Sequence, residues 1–185
     1  MKWNIPNLLS LFRIIAAPFL LLSGWLGLPT LFYTVFLSML ISDALDGFIA
    51  RMLHQTSALG ARLDTYGDIL TYLSTLGAAW WLWPELIRNE LHYIIAAALL
   101  YAVPALFSLA KFGKLASYHT RITKLSAVMM GAGVVILLLF KEALLFHWAV
   151  YFLVIEMLEN MIITFLLKEE QTNIRSVWHA LKMRR

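Results

Sequence analysis

Cysteine is absent from the 185-residue chain, which excludes disulfides, thiolate metal sites and a thiol nucleophile. Charge is scarce too: Asp, Glu, Lys and Arg make up 14% of the residues against 61% hydrophobic, with a mean hydropathy of +0.75. So little polar surface excludes a soluble globule of this size. No basic helix, aromatic RNA-binding motif or zinc-finger spacing accompanies the formal charge of +4, so no nucleic-acid partner is expected. Repeats and low-complexity segments are missing. No small-residue cleavage site follows the basic start, so the first apolar run reads as a span and not as a cleaved leader.

What the chain does contain is apolar length. Six stretches of roughly 20 residues fit a bilayer and leave only short loops, which predicts one membrane-embedded domain over residues 1–185, an all-α integral membrane protein built as a six-transmembrane-helix bundle. Residues Met1 to Arg13, with Pro6 fixing a bend, read as an N-terminal interfacial segment. Span one then runs to Trp25, span two from Pro29 to His54, and span three from Ala58 to Trp83. Spans four to six cover Tyr93–Ala110, Leu125–Phe140 and Trp148–Leu167. Trp80, Trp81 and Trp83 suit an interfacial belt. Thirteen of the fifteen Lys and Arg residues fall on the side of the termini, and only Arg88 and Lys141 on the other. Both termini are therefore expected in the cytoplasm.

Against this apolar background stands the stretch from Asp43 to Asp68, DALDGFIARMLHQTSALGARLDTYGD, with four carboxylates, two arginines and three glycines. Asp43 and Asp46 are spaced i, i+3 and Asp64 and Asp68 i, i+4, so each pair projects from one side of its helix. A short connection at His54 to Ser57 would fold the helices back antiparallel with the pairs facing each other. An Asp at the centre of a span costs about 2.5–3.5 kcal/mol, so four cost at most on the order of 10–14. Something must neutralise them. Arg51 and Arg62 could pair with two of the acids, whereas two divalent cations would neutralise all four and leave room for phosphate oxygens. Gly47, Ala50 and Gly60 keep the adjoining helix surfaces low enough for a flat ligand.

Asp43, Asp46, Gly47, Ala50, Arg51, Gly60, Asp64 and Asp68 fill all eight fixed positions of D-x-x-D-G-x-x-A-R-x8-G-x-x-x-D-x-x-x-D. In this the chain resembles the CDP-alcohol phosphatidyltransferases (class I), and its opening NIPNLLSLFRIIAAPFLLL resembles the members that make phosphatidylglycerophosphate. The resemblance implies a phospholipid-biosynthetic transferase in which an acceptor hydroxyl displaces CMP from CDP-diacylglycerol or another CDP-alcohol, at a site with two Mg2+ or Mn2+ ions. It implies Asp43, Asp46, Asp64 and Asp68 as metal ligands and Asp68 as general base. Asp46, Gly47, Ala50, Arg51 and Gly60 would bind the CDP portion. It further implies a homodimer, in a bacterial inner membrane with the site toward the cytoplasm.

Glycerol 3-phosphate is the acceptor expected, although Thr65 and Ile69 stand where many relatives using it carry proline and lysine. Lys114, Arg121 and Lys124 would supply a basic acceptor pocket, or else are topology residues; His119 could assist. Two other functions compete. An intramembrane prenyltransferase also uses acids, magnesium and a diphosphate, but has widely separated acid motifs. A divalent-cation transporter would need polar groups on both halves of its path, and Glu156 and Glu159 are the only acids available to continue one.

Overall fold

The computed structural model describes residues 4–53, 58–114, 118, 120–167, 169, 174 and 176–183. Among them seven helices form and no strand: α1 (Ile5–Trp25), α2 (Pro29–Met52), α3 (Ala58–Leu82), α4 (Pro84–Phe112), α5 (Arg121–Phe140), α6 (Leu144–Leu166) and α7 (Val177–Met183). On length and composition α1, α4, α5 and α6 can cross a membrane, as an integral membrane protein requires. α2 and α3, at 24 and 25 residues, have the length as well, and the acids of the central stretch lie on them. The His54 to Ser57 connection, His119 and eight of the eighteen residues after Leu167 lie outside the described residues.

The segment expected to be interfacial at the N-terminus forms the first half of α1, continuous with span one. Asn4 caps the helix, its side chain accepting from the Asn7 amide at 3.1 Å, and Pro6 lies in the first turn. There its missing N–H is no loss and its fixed φ favours the helix. No bend forms at Pro6, and Asn7, Ser10 and Arg13 turn inward. α4 likewise begins before Tyr93, taking in the polar run PELIRNELH and opening on Pro84 and Glu85. α5 begins at Arg121, earlier than Leu125, because Thr120 caps it: its hydroxyl accepts from the Thr123 amide at 3.1 Å.

The chain falls into two compact units, Met1–Ile87 and Arg88–Arg185. In the first, α1 packs chiefly on α3 and then on α2, while α2 and α3 touch each other little. The buried face of α1 continues from Arg13 through Ala16, Ala17, Leu20, Ser23 and Gly24. Its other face presents Phe12, Ile15, Phe19 and Leu22 outward, as a lipid-facing helix would. Close approach of α1 and α3 rests on Gly24, where an added Cβ would lie 2.5 Å from Ala78 Cα. Gly24→Ala is therefore expected to destabilise by about 1–3 kcal/mol through overpacking, although helix propensity alone favours Ala. A melting temperature at or above wild type in detergent would contradict this. At the far end of α2, Phe32 packs edge-on against Trp83, ring centroids 5.1 Å apart.

In the second unit α5 and α6 pack closely, and a Cβ on Gly133 would meet Phe146 Cα at 2.9 Å. Tyr118, Ile163, Leu167, Ile174 and Ala180 form a separate cluster that ties α7 to the end of α6. His147 Nε2 lies 2.5 Å from Glu90 Oε2, and its ring stacks on Tyr93 at 3.9 Å.

Candidate active site

The four aspartates of the central stretch converge on one guanidinium, that of Arg13. Its Nη1 donates to Asp43 Oδ1 at 2.5 Å and to Asp68 Oδ1, and its Nη2 to Asp46 Oδ2 at 2.6 Å and Asp64 Oδ1 at 2.5 Å. The planar fork can reach carboxylates on two helices at once, which a lysine ammonium on its flexible stem does less well. The acid pairs therefore face each other around a side chain from α1, with Asp43 of α2 also against Asp68 of α3. Arg13 is 1% exposed, whereas the side chains of Asp43, Asp64 and Asp68 are 50%, 48% and 42% exposed. The cation is the floor of the site and three of the acids form its open wall.

Smaller groups hold this arrangement. Ser10 Oγ donates to Asp46 Oδ2 at 3.0 Å, and Ser42 Oγ to the Leu9 carbonyl at 2.9 Å, fixing α2 against α1 one residue from Asp43. Asp46 is accordingly the most buried of the acids. Gly67 on α3 gives Arg13 its room, since a Cβ there would lie 3.3 Å from the guanidinium carbon.

Four carboxylates against one guanidinium leave a formal charge of three minus if all are ionised. Oxygens of Asp43, Asp64 and Asp68 lie within 4.8 Å of one another. Hard carboxylate oxygens, close together, half open and under-neutralised, fit a divalent cation such as Mg2+ or Mn2+. Asp46 is outside that triple and bound to Ser10 and Arg13.

The other expected site residues are placed less tightly. Gly60 sits half-buried in the first turn of α3. Gly47, Ala50 and Arg51 belong to α2, but their side chains, and that of Arg62, lie outside the described residues. Lys114 follows the end of α4, and Arg121 and Lys124 are exposed on the first turn of α5. Those three belong to the second unit, the acids to the first.

The sequence reading passed over Arg13 and Ser10. It assigned Arg13 to the basic, cytoplasmic side and looked for the acids' cation in Arg51 and Arg62. A signal was present: Asn4, Asn7, Ser10 and Arg13 recur every third residue, a polar stripe on an otherwise apolar helix.

The sequence profile described as CDP-alcohol phosphatidyltransferase matches residues 3–166. A protein of Pectobacterium atrosepticum named CDP-diacylglycerol–glycerol-3-phosphate 3-phosphatidyltransferase is 35% identical over 91 residues, which cover 44% of this chain and 50% of the relative. Proteins of the same name from Wigglesworthia glossinidia brevipalpis and Escherichia coli K12 are 41% and 39% identical over 71 residues, covering 37% of this chain and 39% of each relative. The chain thus aligns with half or less of the length of these relatives. No solved structure matches significantly. The profile spans both units and includes the four acids with the arginine they surround, so the chain belongs to the CDP-alcohol phosphatidyltransferase family.

Proposed function

We propose that the chain transfers the phosphatidyl group of CDP-diacylglycerol to a hydroxyl of glycerol 3-phosphate and releases CMP. The observation that carries this reading is the convergence of all four signature aspartates on one half-open site. The acceptor follows from the name the relatives share. Asp43, Asp46, Asp64 and Asp68 would hold two Mg2+ or Mn2+ ions, which when bound offset the charge of the diphosphate and of the leaving CMP. The chain's own residues do the rest. Arg13 keeps acids of two helices at one point, and Gly47, Ala50 and Gly60 would admit the cytidine and its diphosphate, with Arg51 supporting the nucleotide end. Asp68 takes the proton of the acceptor hydroxyl as its oxygen bonds to the phosphatidyl phosphorus and the bond from that phosphorus to CMP breaks.

The test is CMP release by the purified chain given CDP-diacylglycerol, Mg2+ and a panel of acceptors. No CMP with any acceptor would sink the enzyme reading. Release with another alcohol but not with glycerol 3-phosphate would sink only the acceptor.

Arg121 and Lys124 lie i, i+3 on one helical turn and can present two cations to a phosphorylated acceptor. Replacing either by Ala is expected to raise the KM for glycerol 3-phosphate several-fold and to leave that for CDP-diacylglycerol nearly unchanged. Equal KM values in variant and wild type would reduce both residues to topology signals.

The proposal includes six spans, with α2 and α3 crossing as partners of α1, in one domain, both termini and the site facing the cytoplasm of a bacterial inner membrane. Its support is the thirteen-to-two division of basic residues. A reporter fused after Arg185 should remain cytoplasmic, and its export would overturn the orientation. Homodimerisation, implied by the family resemblance alone, would be contradicted by a monomer mass in mild detergent.

A further inference from the structure

The second unit holds a buried carboxylate that the proposed reaction does not use. Glu156 on α6 is 5% exposed and borders a cavity of about 240 Å³ between α4, α5 and α6. Ser126, Asn160 and Thr123 lie within hydrogen-bonding range of its carboxylate. Even so, Glu156 Oε2 and Asn160 Oδ1, both buried, lack hydrogen-bond partners. Among the described residues no Lys, Arg or His forms an ion pair with Glu156. Its neighbour Glu159 is already engaged, accepting from Thr120 Oγ1 at 2.5 Å. The remaining walls are apolar or aromatic and include Tyr101, Tyr118, Pro104, Leu153 and Met157.

Unmet oxygens at one end and greasy walls at the other define the missing partner. It brings N–H donors and a positive charge to the polar end and an alkyl body to the rest. An ammonium group carries three donors and no acceptor, enough to serve both orphaned oxygens that border the cavity, one of them from a carboxylate. The Tyr101 and Tyr118 rings can add cation–π attraction. A bare alkali ion would waste the apolar walls, and one water, with its share of about 30 Å³ of liquid, would fill little of the space and leave the charge unmatched. We infer that the cavity between α4, α5 and α6 binds a small alkylammonium group, with Glu156 as its counter-ion and Asn160 as its second acceptor. The group can belong to a free amine or to the headgroup of an aminophospholipid.

The probe is ethylammonium, followed by saturation-transfer NMR on the full chain in phosphatidylglycerol nanodiscs, with 1-propanol as the neutral analogue and sodium as the inorganic competitor. Saturable binding of ethylammonium and none of 1-propanol are expected. Glu156→Gln should weaken that binding at least tenfold. Ala105→Phe, which fills the cavity from the α4 wall without touching the carboxylate, should do the same and decides the matter should the Gln variant not fold. The inference is overturned by absence of saturable binding, by unchanged affinity in either folded variant, or by displacement of the probe by sodium at equal concentration. Adding phosphatidylethanolamine to the nanodiscs separates the sources: suppressed probe binding assigns the site to the lipid headgroup, and unchanged binding assigns it to a free amine. Glu156 and Asn160 are outside the aspartate site, so CMP release tests the transferase reading separately.

Discussion

Asp68→Asn is expected to lower kcat at least about 100-fold, the low end of what a positioned general base supplies, with CDP-diacylglycerol still bound. The substitution keeps the shape and removes the basicity. Asp68 lies one turn along α3 from Asp64, is 42% exposed, and has one oxygen tied to Arg13. The other oxygen can serve the acceptor. Asp46 is a poorer candidate, being nearly buried and held by both Ser10 and Arg13. In steady-state and single-turnover assays, near-normal turnover of Asp68→Asn would remove it as the base. Loss of Mg2+ binding together with activity would make it a ligand only.

Arg13→Met is expected to cost about 3–5 kcal/mol of stability in metal-free protein, the range for breaking a buried pair by deleting one partner. Most of that comes from Asp46, which is nearly as buried as the guanidinium. Asp43, Asp64 and Asp68 are half open, so their shares are strongly discounted by solvent. Added Mg2+ should recover part of the loss, since it relieves the same repulsion among the acids. Tryptophan-monitored melting in detergent, with and without Mg2+, reads both effects. An unchanged melting temperature without metal would show that Arg13 does not hold the site together.

Much of this was legible in the sequence, because helical periodicity converts directly into geometry. The spacing of Asp43 with Asp46 and of Asp64 with Asp68 put each pair on one face, and the structure gathers all four. Helix limits were read to within a few residues where apolar runs ended on glycine or proline, as at Trp25 and Pro29. They were missed where a cap decides the end: Thr120 starts α5 at Arg121, and Asn4 with Pro6 makes a helix of the segment expected to be interfacial. Arg13 was lost for a different reason. An arginine near a membrane boundary carries the same composition signal whether it faces water or a carboxylate, and only the packing of α1 on α2 and α3 separates the two.

The position of Arg13 also bears on how the chain enters the membrane. α1 emerges first, carrying a guanidinium whose cost is at most about 2.5–3.5 kcal/mol, the value at the centre of a span on the insertion scale. Its four partners are on helices synthesised later, two acids on each, and every one of those carboxylates opposes insertion in the same way. If α2 and α3 cross as proposed, the charges of all three helices are matched only in a contact none of them contains by itself. On that six-span arrangement, membrane entry of the first 82 residues would be a joint event, in which α1 waits near the surface or at the insertion machinery until α2 and α3 arrive to cover its charge. A defect at Arg13 would then appear before any question of catalysis, as a smaller fraction of newly made Arg13→Met chains recovered in the membrane. Equal recovery of variant and wild type in a pulse-labelled insertion assay would show that the helices enter one at a time.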